Sequence, residues 1–468
     1  MRISWSLAAP VTLAMGVVAS SASAADDEPK MLFGHPVKEV APLTPEETAQ
    51  RREAFEQMLD DKGLVRIGDE VRPMGPDGGF AQPSDPAADW TSPPHRSTIF
   101  LNFFGATLNS GNNATFNESP CVNSELEYPG FGGTEQQALS MLQVFENQMA
   151  PYGIRFAYEE RPPEHLPYAM VMMGGSPGLL GLPNGVLGVS CSNDCGDFWW
   201  RDLTFAFTDD VGNGNAEALG TTALHEAAHA FGLAHIEGND NIMFPFVNTN
   251  VSWADTCTPY NDATGGINCQ PTHDEFCGGG AQDSNAELLA YFGENSPDME
   301  PPVVEILSPA DGTEYEVGSS LTVEAEITDN HEGAGWKLVI PEVGQESVAM
   351  AFEKEWPLGN LPEGTYTLRV EAIDHERNES FDEVTIYVGV EAPEGEDDTT
   401  GGEPLPGGTA TGEPATSDGS GDDSTGDPGV GDDDGGGEGC GCRSTPAGGA
   451  VPWLVLLLGL GIRRRSRI

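Results

Sequence analysis

The segment from His225 to His235 constrains the fold of this 468-residue chain more than any other feature. It reads His225-Glu226-Ala227-Ala228-His229-Ala230-Phe231-Gly232-Leu233-Ala234-His235. His225 and His229 are four residues apart, so on a helix they project from one face. Gly232 follows one turn later, where a glycine adopts the left-handed conformation that ends a helix. The pattern therefore predicts a helix that stops at Gly232 and a turn that returns His235 to the same point.

The donor atoms of this segment indicate a catalytic metal rather than a structural one. Three histidine nitrogens leave the fourth position of a tetrahedral zinc ion open for water. Glu226 follows His225 directly but points partly away from it, so it can reach a zinc-bound water without being a ligand. We therefore expect zinc bound by His225, His229 and His235, with Glu226 as the general base of a hydrolytic reaction.

Met243 follows eight residues after His235, within Asn241-Ile242-Met243-Phe244-Pro245. Together with the complete His-Glu-x-x-His-x-x-Gly-x-x-His pattern, it resembles the metzincin clan of zinc metallopeptidases, and the Met-Phe-Pro turn is similar to the matrixin branch. The resemblance implies an endopeptidase that acts on proteins or peptides, with Gly232, Met243 and Pro245 supporting the site. It also implies the metzincin fold, a twisted, mostly parallel sheet with an active-site helix.

Some departures from the matrixin pattern leave the subfamily open. Ile236 follows the third histidine where matrixins usually carry serine, and residues 246–282 form a long insertion that contains cysteines. Phe246 stands where some branches place a tyrosine after the methionine. The resemblance covers residues 97–296 and is strong only at 225–245.

Hydrophobic periodicity over residues 97–296 predicts an α+β, α/β-like domain. Helices are expected from Thr134, from Ala216 and over residues 285–292. Short apolar runs predict strands at 99–103, 154–158, 168–173, 186–190 and 203–208. The last of these is the expected sheet edge, along which an extended substrate would bind by strand addition.

Residues 1–24 have the features of a secretory signal: Arg2, a short apolar run, and a small-residue cleavage site at Ala22-Ser23-Ala24. We expect residues 25–96 to be a pro-segment. Its helix opens with Thr44 as the cap and is followed by an irregular Pro- and Gly-rich connector.

The pro-segment contains no cysteine, which excludes the zinc-blocking cysteine of many matrixins unless Cys121 serves instead. One alternative is that Asp69 or Asp77 caps the metal. The other is that both are exposed turn residues without such a role. Eight cysteines occur in all, and six of them lie between Cys121 and Cys277. In an exported chain these six predict three disulfides, whose fifteen possible connectivities remain open.

Residues 302–390 differ from the preceding domain in their pattern of short strands and in having no cysteine. Short strands at regular spacing predict an all-β sandwich, with strands at 303–306, 321–327, 336–340, 366–373 and 384–388. The pattern resembles the bacterial immunoglobulin-like modules of secreted enzymes. Residues 391–439 are rich in Gly, Asp, Glu, Thr and Pro, so we expect a disordered acidic linker there.

Residues 440–468 combine Cys440-Gly441-Cys442, an apolar run at 451–462 and a cluster of arginines. They resemble the MYXO-CTERM sorting signals, which implies removal of the tail and attachment to the cell surface. A plain single-pass transmembrane helix, oriented by its arginines, is the alternative. In both cases we expect an exported protein anchored through its C-terminal region.

The formal net charge of −54 excludes binding of nucleic acid through its phosphates. Six histidines lack ligand spacing and are expected to be surface or hydrogen-bonded residues: His35, His95, His165, His273, His331 and His375. Two acidic groups of residues either bind structural calcium or lie in solvated turns. They are Asp209-Asp210 with the Gly212-Asn213-Gly214-Asn215 run, and Asp255, Asp262, Asp274 and Glu275 of the insertion.

The leading interpretation is an exported, monomeric zinc endopeptidase with an accessory sandwich. The competing interpretation is a non-catalytic surface adhesion or binding protein whose peptidase domain is vestigial. Zinc content together with chelator-sensitive cleavage of casein distinguishes them.

Overall fold

A computed structural model describes the chain over residues 29–83, 94–195, 201–209, 215–261, 266–348, 353–359 and 361–393. The expected signal peptide, the C-terminal signal and all but the first three residues of the expected linker lie outside these ranges. Within them, no helix has both the length and the apolar content needed to cross a membrane.

The first described segment contains one long helix and two pairs of short strands. They are β1 Met31–Leu32, β2 His35–Pro36, α1 Pro45–Lys62, β3 Leu64–Ile67 and β4 Glu70–Pro73. Helix α1 begins as predicted, because the Thr44 side chain accepts from the Glu47 N–H while the Glu47 carboxylate accepts from the Thr44 N–H. Gly63, with φ of 64°, ends it.

Every helix and strand predicted between residues 97 and 296 is present, within a few residues of its predicted bounds. The strands are β5 Ser97–Asn102, β6 Gly105–Ser110, β7 Glu118–Ser119, β8 Leu126–Pro129, β9 Ile154–Ala157, β10 Ala169–Met173, β11 Gly188–Ser190, β12 Leu203–Ala206, β13 Thr258–Pro259 and β14 Ala281–Gln282. The helices are α2 Glu135–Met149, α3 Ala216–Phe231, α4 Gln270–Cys277 and α5 Ser284–Phe292. Short 3-10 turns occur at Ala114–Phe116 and Pro177–Leu180.

Seven strands form the central sheet in the order β3-β4-β11-β12-β10-β5-β9. Only the β3–β4 and β11–β12 pairs are antiparallel, so the expected mostly parallel sheet is confirmed. Alternate residues of each strand face opposite sides. Leu101 lies in one core with Phe145 and Leu224 of the helices α2 and α3, whereas Phe100 lies in a second core with Met58 of α1.

Two sequence-based expectations about this sheet are wrong. Strand β12 is not an edge, because β11 pairs with it on one side and β10 on the other. The irregular connector expected after α1 is instead the β3–β4 hairpin, whose second strand pairs in parallel with β11 through Glu70 and Ser190. Its charged residues Glu70 and Arg72 are both buried, at 1% exposed.

Six cysteines form three disulfides, as predicted. They pair Cys121 with Cys191, Cys195 with Cys269, and Cys257 with Cys277. The first pair lies in the core beneath α1, and the other two brace the long insertion that follows Pro245.

Residues 303–388 form two facing sheets around a separate core, which confirms the predicted sandwich. The strands are β15 Val303–Ser308, β16 Thr313–Tyr315, β17 Leu321–Thr328, β18 Gly335–Ile340, β19 Gln345–Val348, β20 Glu355–Leu358, β21 Gly364–Ile373 and β22 Glu379–Val388, with a 3-10 turn at Pro341–Val343. One sheet has the order β15-β17-β20 and the other β16-β22-β21-β18-β19.

The sandwich packs directly on the domain that precedes it. The Arg96 N–H donates to the Glu332 carbonyl at 2.7 Å. The buried His375 joins both domains, because its Nδ1 accepts from the Thr98 hydroxyl at 2.8 Å and its Nε2 donates to the Gly333 carbonyl at 2.9 Å. We call this contact the domain junction.

Candidate metal centre

Helix α3 presents the predicted ligands from a buried frame. The Asn215 side chain caps its start by accepting from the Ala218 N–H at 3.2 Å. Gly232 ends it in the left-handed conformation, with φ of 111° and its N–H donating to the last carbonyls of the helix. All residues from 218 to 231 are buried, so the packing fixes the direction of each side chain.

The three predicted histidines converge on one point. The Nε2 atoms of His225 and His229 are 3.0 Å apart, and each lies 3.1 Å from Nε2 of His235. The opposite ring nitrogens are occupied: Nδ1 of His225 donates to the Ile242 carbonyl and Nδ1 of His229 to the Leu233 carbonyl, both at 2.7 Å. These bonds place the proton on Nδ1 and leave the Nε2 lone pairs facing each other. We call these three residues the histidine cluster.

This geometry fits zinc. A tetrahedral ion at 2.0–2.1 Å from each nitrogen requires nitrogens about 3.3 Å apart, close to the observed separations. Burial and the neighbouring imidazoles lower the pKa of His229 well below its ordinary value, which favours the neutral form that binds metal. The residues present therefore fit a three-histidine zinc site.

Glu226 lies beside the histidine cluster and is 1% exposed. Its Oε2 atom is buried and has no hydrogen-bond partner within the described chain. Its carboxylate packs against Gly188 of β11, where any side chain would collide with it. Burial raises the pKa of Glu226 well above its usual range, and the charges of Asp69 and Glu70 raise it further. A raised pKa lets this carboxyl group hold a proton and pass it on, as a general base and acid must.

Asp69 faces the histidine cluster from the β3–β4 turn. One of its oxygens lies 3.3 Å from Nε2 of His235, and the other lies 3.6 Å from Nε2 of His225. With the three histidines it forms a group whose possible ligand atoms all lie within 4.8 Å of one another. The Asp69 carboxylate thus stands where a fourth ligand would be, on the side opposite the backbone carbonyls that hold the rings.

The hairpin that carries Asp69 is fixed in the sheet by a buried ion pair. Arg72 lies 3.1 Å from the Glu70 carboxylate and donates to the carbonyls of Ser190 and His229 at 2.8 and 3.2 Å. The Ser190 N–H donates to the Asp69 carbonyl at 2.9 Å. Burial raises the pKa of Glu70 to about 8, against the opposing effect of Arg72. No short sequence motif marks this pair, because its burial depends on the contacts of the folded hairpin with β11 and α3.

The residues predicted to support the site do so in different ways. Met243 is fully buried in the core, and its carbonyl accepts from the Ile236 N–H at 3.0 Å, directly after the third histidine. Gly232 packs against the Cys195–Cys269 disulfide, where a Cβ atom would lie 3.0 Å from the Cys269 sulfur. Pro245 lines the cleft in front of the metal site.

A cleft of about 360 Å³ opens onto the centre. One wall is Gly185 to Gly188, leading into β11, and the opposite wall is Phe244 to Asn248. His225, Glu226 and Asp69 lie between the walls. Phe246 is 62% exposed on the second wall, so the cleft has an apolar rim.

The other candidate residues do not join a metal site of this kind. Asp77 is exposed and its side chain accepts from the Gly79 N–H, away from the histidine cluster. His273 is buried and bonded to Glu287 and to the Asn268 carbonyl, as expected for a satisfied histidine. Among the described residues, Asp255, Asp274 and Glu275 do not form a ligand group. Asp210, Gly212 to Gly214 and Asp262 lie outside the described ranges.

Comparisons with known proteins concern the sandwich. Residues 302–370 match the family model of a bacterial Ig domain. No curated protein matches the chain. The chain is similar to the fibronectin(III)-like modules of Clostridium thermocellum CbhA, with 18% identity over 19% of this chain and 47% of that one and a TM-score of 0.18. A second similar structure is SGBP-B of the Bacteroides ovatus mixed-linkage glucan utilization locus, in complex with a mixed-linkage heptasaccharide, with 20% identity over 20% of this chain and 25% of that one and a TM-score of 0.15.

The chain spans less than half the length of either of these structures. Likenesses of this size carry no argument about activity. What the family match does show is that the chain contains a bacterial Ig-like domain, which follows a separate α/β domain holding the histidine cluster.

Proposed function

We propose that the chain is a zinc-dependent endopeptidase of the metzincin type, similar to matrixins, that cleaves extracellular proteins. In this proposal it is exported, acts as a monomer and is held at the outer cell surface through its C-terminal region. The observation that carries the proposal is the convergence of three Nε2 atoms at 3.0–3.1 Å beside the buried carboxylate of Glu226.

A zinc ion held by the histidine cluster would polarise the scissile carbonyl and activate water at neutral pH. The chain's own residues supply the rest. The carbonyls of Ile242 and Leu233 keep two imidazoles oriented. Glu226 accepts the proton of the attacking water and then donates it to the amine nitrogen that leaves. Its raised pKa, caused by burial, suits both transfers.

An extended substrate fits the cleft between β11 and the segment from Phe244 to Asn248. Strand β4 pairs with β11 at Ser190, and among the described residues no strand pairs with Gly188 on that side, where it lines the cleft. Strand addition there places a peptide bond next to Glu226, which packs on Gly188. The exposed Phe246 supplies apolar contact for a substrate side chain.

The chain with its N-terminal hairpin in place is then a latent precursor. The Asp69 carboxylate competes with substrate and water for the position in front of the three imidazoles. In this proposal, removal of residues 25–96 clears that position. Asp69 would then block the metal, as a pro-segment cysteine does in many matrixins.

One observation favours the competing function, a surface adhesion or binding protein without catalysis. The β3–β4 hairpin is part of the central sheet, and Arg72 satisfies buried carbonyls of Ser190 and His229. A hairpin that never leaves would keep Asp69 in the site permanently. Secretion of a chain that still starts before Asp69 and never cleaves protein would support that function.

The decisive experiment is Glu226→Ala in the processed protein. Zinc content should stay at one ion per chain, while the rate of casein cleavage should fall by about 10²–10⁴-fold, because the general base is lost. His235→Ala is the matched variant and should lose most of the zinc as well as the activity. Retained cleavage in Glu226→Ala would overturn the mechanism, and full zinc occupancy in His235→Ala would remove that residue from the ligands.

A further inference from the structure

Three segments that are distant in sequence bring carboxylates together at the domain junction. Asp298 follows α5, Asp329 lies in the turn after β17, and Asp374 and Glu376 lie in the turn between β21 and β22. One carboxylate oxygen from each of Asp298, Asp374 and Glu376 lies within 4.8 Å of the other two. We call these four residues the junction cluster.

The junction cluster contains buried oxygens that no hydrogen bond satisfies. Asp298 is 5% exposed, and its Oδ1 accepts from the Glu300 N–H at 3.0 Å and from Asn330 at 2.9 Å, but its Oδ2 has no partner. Glu376 Oε2 is also buried without a partner. Both Asp329 oxygens are buried, with only the backbone N–H groups of Asn330 and His331 to favour the charged form. A carboxylate oxygen that loses water without a replacement is costly, so these atoms point to a positively charged ligand.

The charges around the cluster do not balance. Arg96 lies 3.0 Å from Glu376 Oε1, and Arg155 contacts the same oxygen. Against these two cations stand the carboxylates of Asp298, Asp374 and Glu376 and the partly ionised Asp329, which leaves a surplus of negative charge. One divalent cation neutralises that surplus.

Mutual repulsion within the cluster is visible at Asp329. Burial and then the charges of Asp298 and Asp374 raise its pKa to about 7. The backbone N–H of Asn378 donates to Asp374 Oδ1 at 2.8 Å and its side-chain amide donates to Oδ2 at 2.7 Å, so that carboxylate cannot turn away. The fold thus keeps like charges close together instead of separating them.

The donor atoms decide which cation fits. The cluster offers carboxylate oxygens and no nitrogen or sulfur, which disfavours zinc and copper. Calcium accepts six to eight oxygens in irregular arrangements, including bidentate carboxylates, whereas magnesium requires a near-ideal octahedron and keeps several waters. Oxygens supplied by three separate loops suit the more tolerant ion.

We propose that the junction cluster binds one Ca²⁺ ion that fastens the sandwich to the segment after α5. In this proposal Asp298, Asp374 and Glu376 ligate the ion, which satisfies the buried Oδ2 of Asp298. Its charge also offsets the repulsion at Asp329. It therefore stabilises the contact between the two domains rather than the chemistry of the histidine cluster. The site lies outside both acidic groups that the sequence suggested for calcium.

The test uses the full chain carrying Glu226→Ala, which prevents self-cleavage, in buffer freed of calcium by a chelating resin. CaCl₂ at 100-fold excess over its Kd should raise the Tm by roughly 5 °C, and MgCl₂ should raise it less. Asp298→Asn and Asp329→Asn should each weaken calcium binding at least tenfold in calorimetric titration. Glu305→Gln removes an exposed carboxylate of β15 and is the matched control, with unchanged affinity.

The variants also separate ligation from a purely structural role. Without calcium, Asp329→Asn should melt no lower than the parent chain, because the substitution relieves repulsion, yet its calcium-induced shift should be lost. If Asp298→Asn does not fold, Asp329→Asn decides the outcome alone. The proposal is overturned if calcium does not raise the parent's Tm, or if it raises the Tm of the cluster variants and of Glu305→Gln equally. Zinc content and cleavage by the processed enzyme are independent of either result.

Discussion

The histidine cluster and the junction cluster gather ligand atoms in opposite ways. All three imidazoles come from the eleven residues 225–235, on a buried helix and the turn after it. The four carboxylates come from three loops, held by amides such as Asn330 and Asn378. Neutral nitrogens around one open position suit a catalytic zinc ion, whereas crowded carboxylate oxygens suit calcium. If both proposals hold, the catalytic ion is bound on one rigid helix, whereas the ion between the domains is bound by loops that can adjust.

The largest expected effect is the loss of zinc from a ligand variant, and it tests whether the two clusters bind their metals independently. His229→Ala should weaken zinc binding by more than about 100-fold, because loss of a ligand exceeds the cost of losing its outer hydrogen bond. Calcium affinity should not change. Asp298→Asn should give the reverse result, with full zinc content and normal cleavage. Measurement of both metals on both variants checks this, and any cross-effect above about threefold would contradict two independent sites.

A smaller effect concerns the Asp69 carboxylate, which faces the histidine cluster. In the unprocessed chain, Asp69→Ala should increase the rate of peptide cleavage by about 10- to 100-fold, since a charge-assisted contact is worth about 1.5–3 kcal/mol. Asp77→Ala is the control, because Asp77 lies in an exposed turn of the same segment. The visible spectrum of the cobalt-substituted protein should also change in Asp69→Ala and not in Asp77→Ala. An identical spectrum in all three chains would mean that Asp69 does not reach the metal.

The smallest effect is a pH dependence of the domain junction. Burial lowers the pKa of His375 to about 3, and the charges of Arg155, Arg377 and Arg96 also oppose its protonation. Its folded-state pKa is below the unfolded value near 6.5, so this stability is complete above pH 6.5 and falls as the pH drops toward 3. The loss is about 1.4 kcal/mol per pH unit below 6.5.

Denaturant unfolding at pH 7 and pH 5 measures this loss. His375→Gln keeps one donor and one acceptor for Gly333 and Thr98 but does not titrate, so its stability should fall by about 2 kcal/mol less than that of the parent. Burial also lowers the pKa of His95 and of His165 to about 4, so part of the dependence should persist in the variant. Equal pH dependence in both chains would show that His375 is not the source.

Local patterns predicted the histidine cluster because its geometry depends on spacing within one helix. Thr134 and Thr44 likewise marked helix starts that the structure confirms, since a cap acts over three residues. The junction cluster had no such signal. Its residues meet only after the sandwich has folded against the preceding domain, and no short motif encodes that contact.

The two errors in the sheet have the same physical origin. Residues 203–208 were expected at an edge, but β11 crosses over to lie outside β12. Pro- and Gly-rich composition after α1 predicted an irregular connector, but residues 64–73 form a hairpin in which Glu70 and Arg72 are buried 3.1 Å apart. Spatial order and buried pairing are properties of the whole fold, and a window of neighbouring residues does not contain them.

The disulfide between Cys195 and Cys269 also bears on where the proposed peptidase would become active. It packs against Gly232, and Asn268 beside it donates to the His229 carbonyl at 3.3 Å. Thiols stay reduced in the cytosol, so this brace closes only after the chain has left it. We expect the reduced chain to bind zinc more weakly, which equilibrium dialysis under reducing conditions would measure. Oxidation of the two cysteines would then delay full zinc binding, and so proteolysis, until the chain is outside the cell.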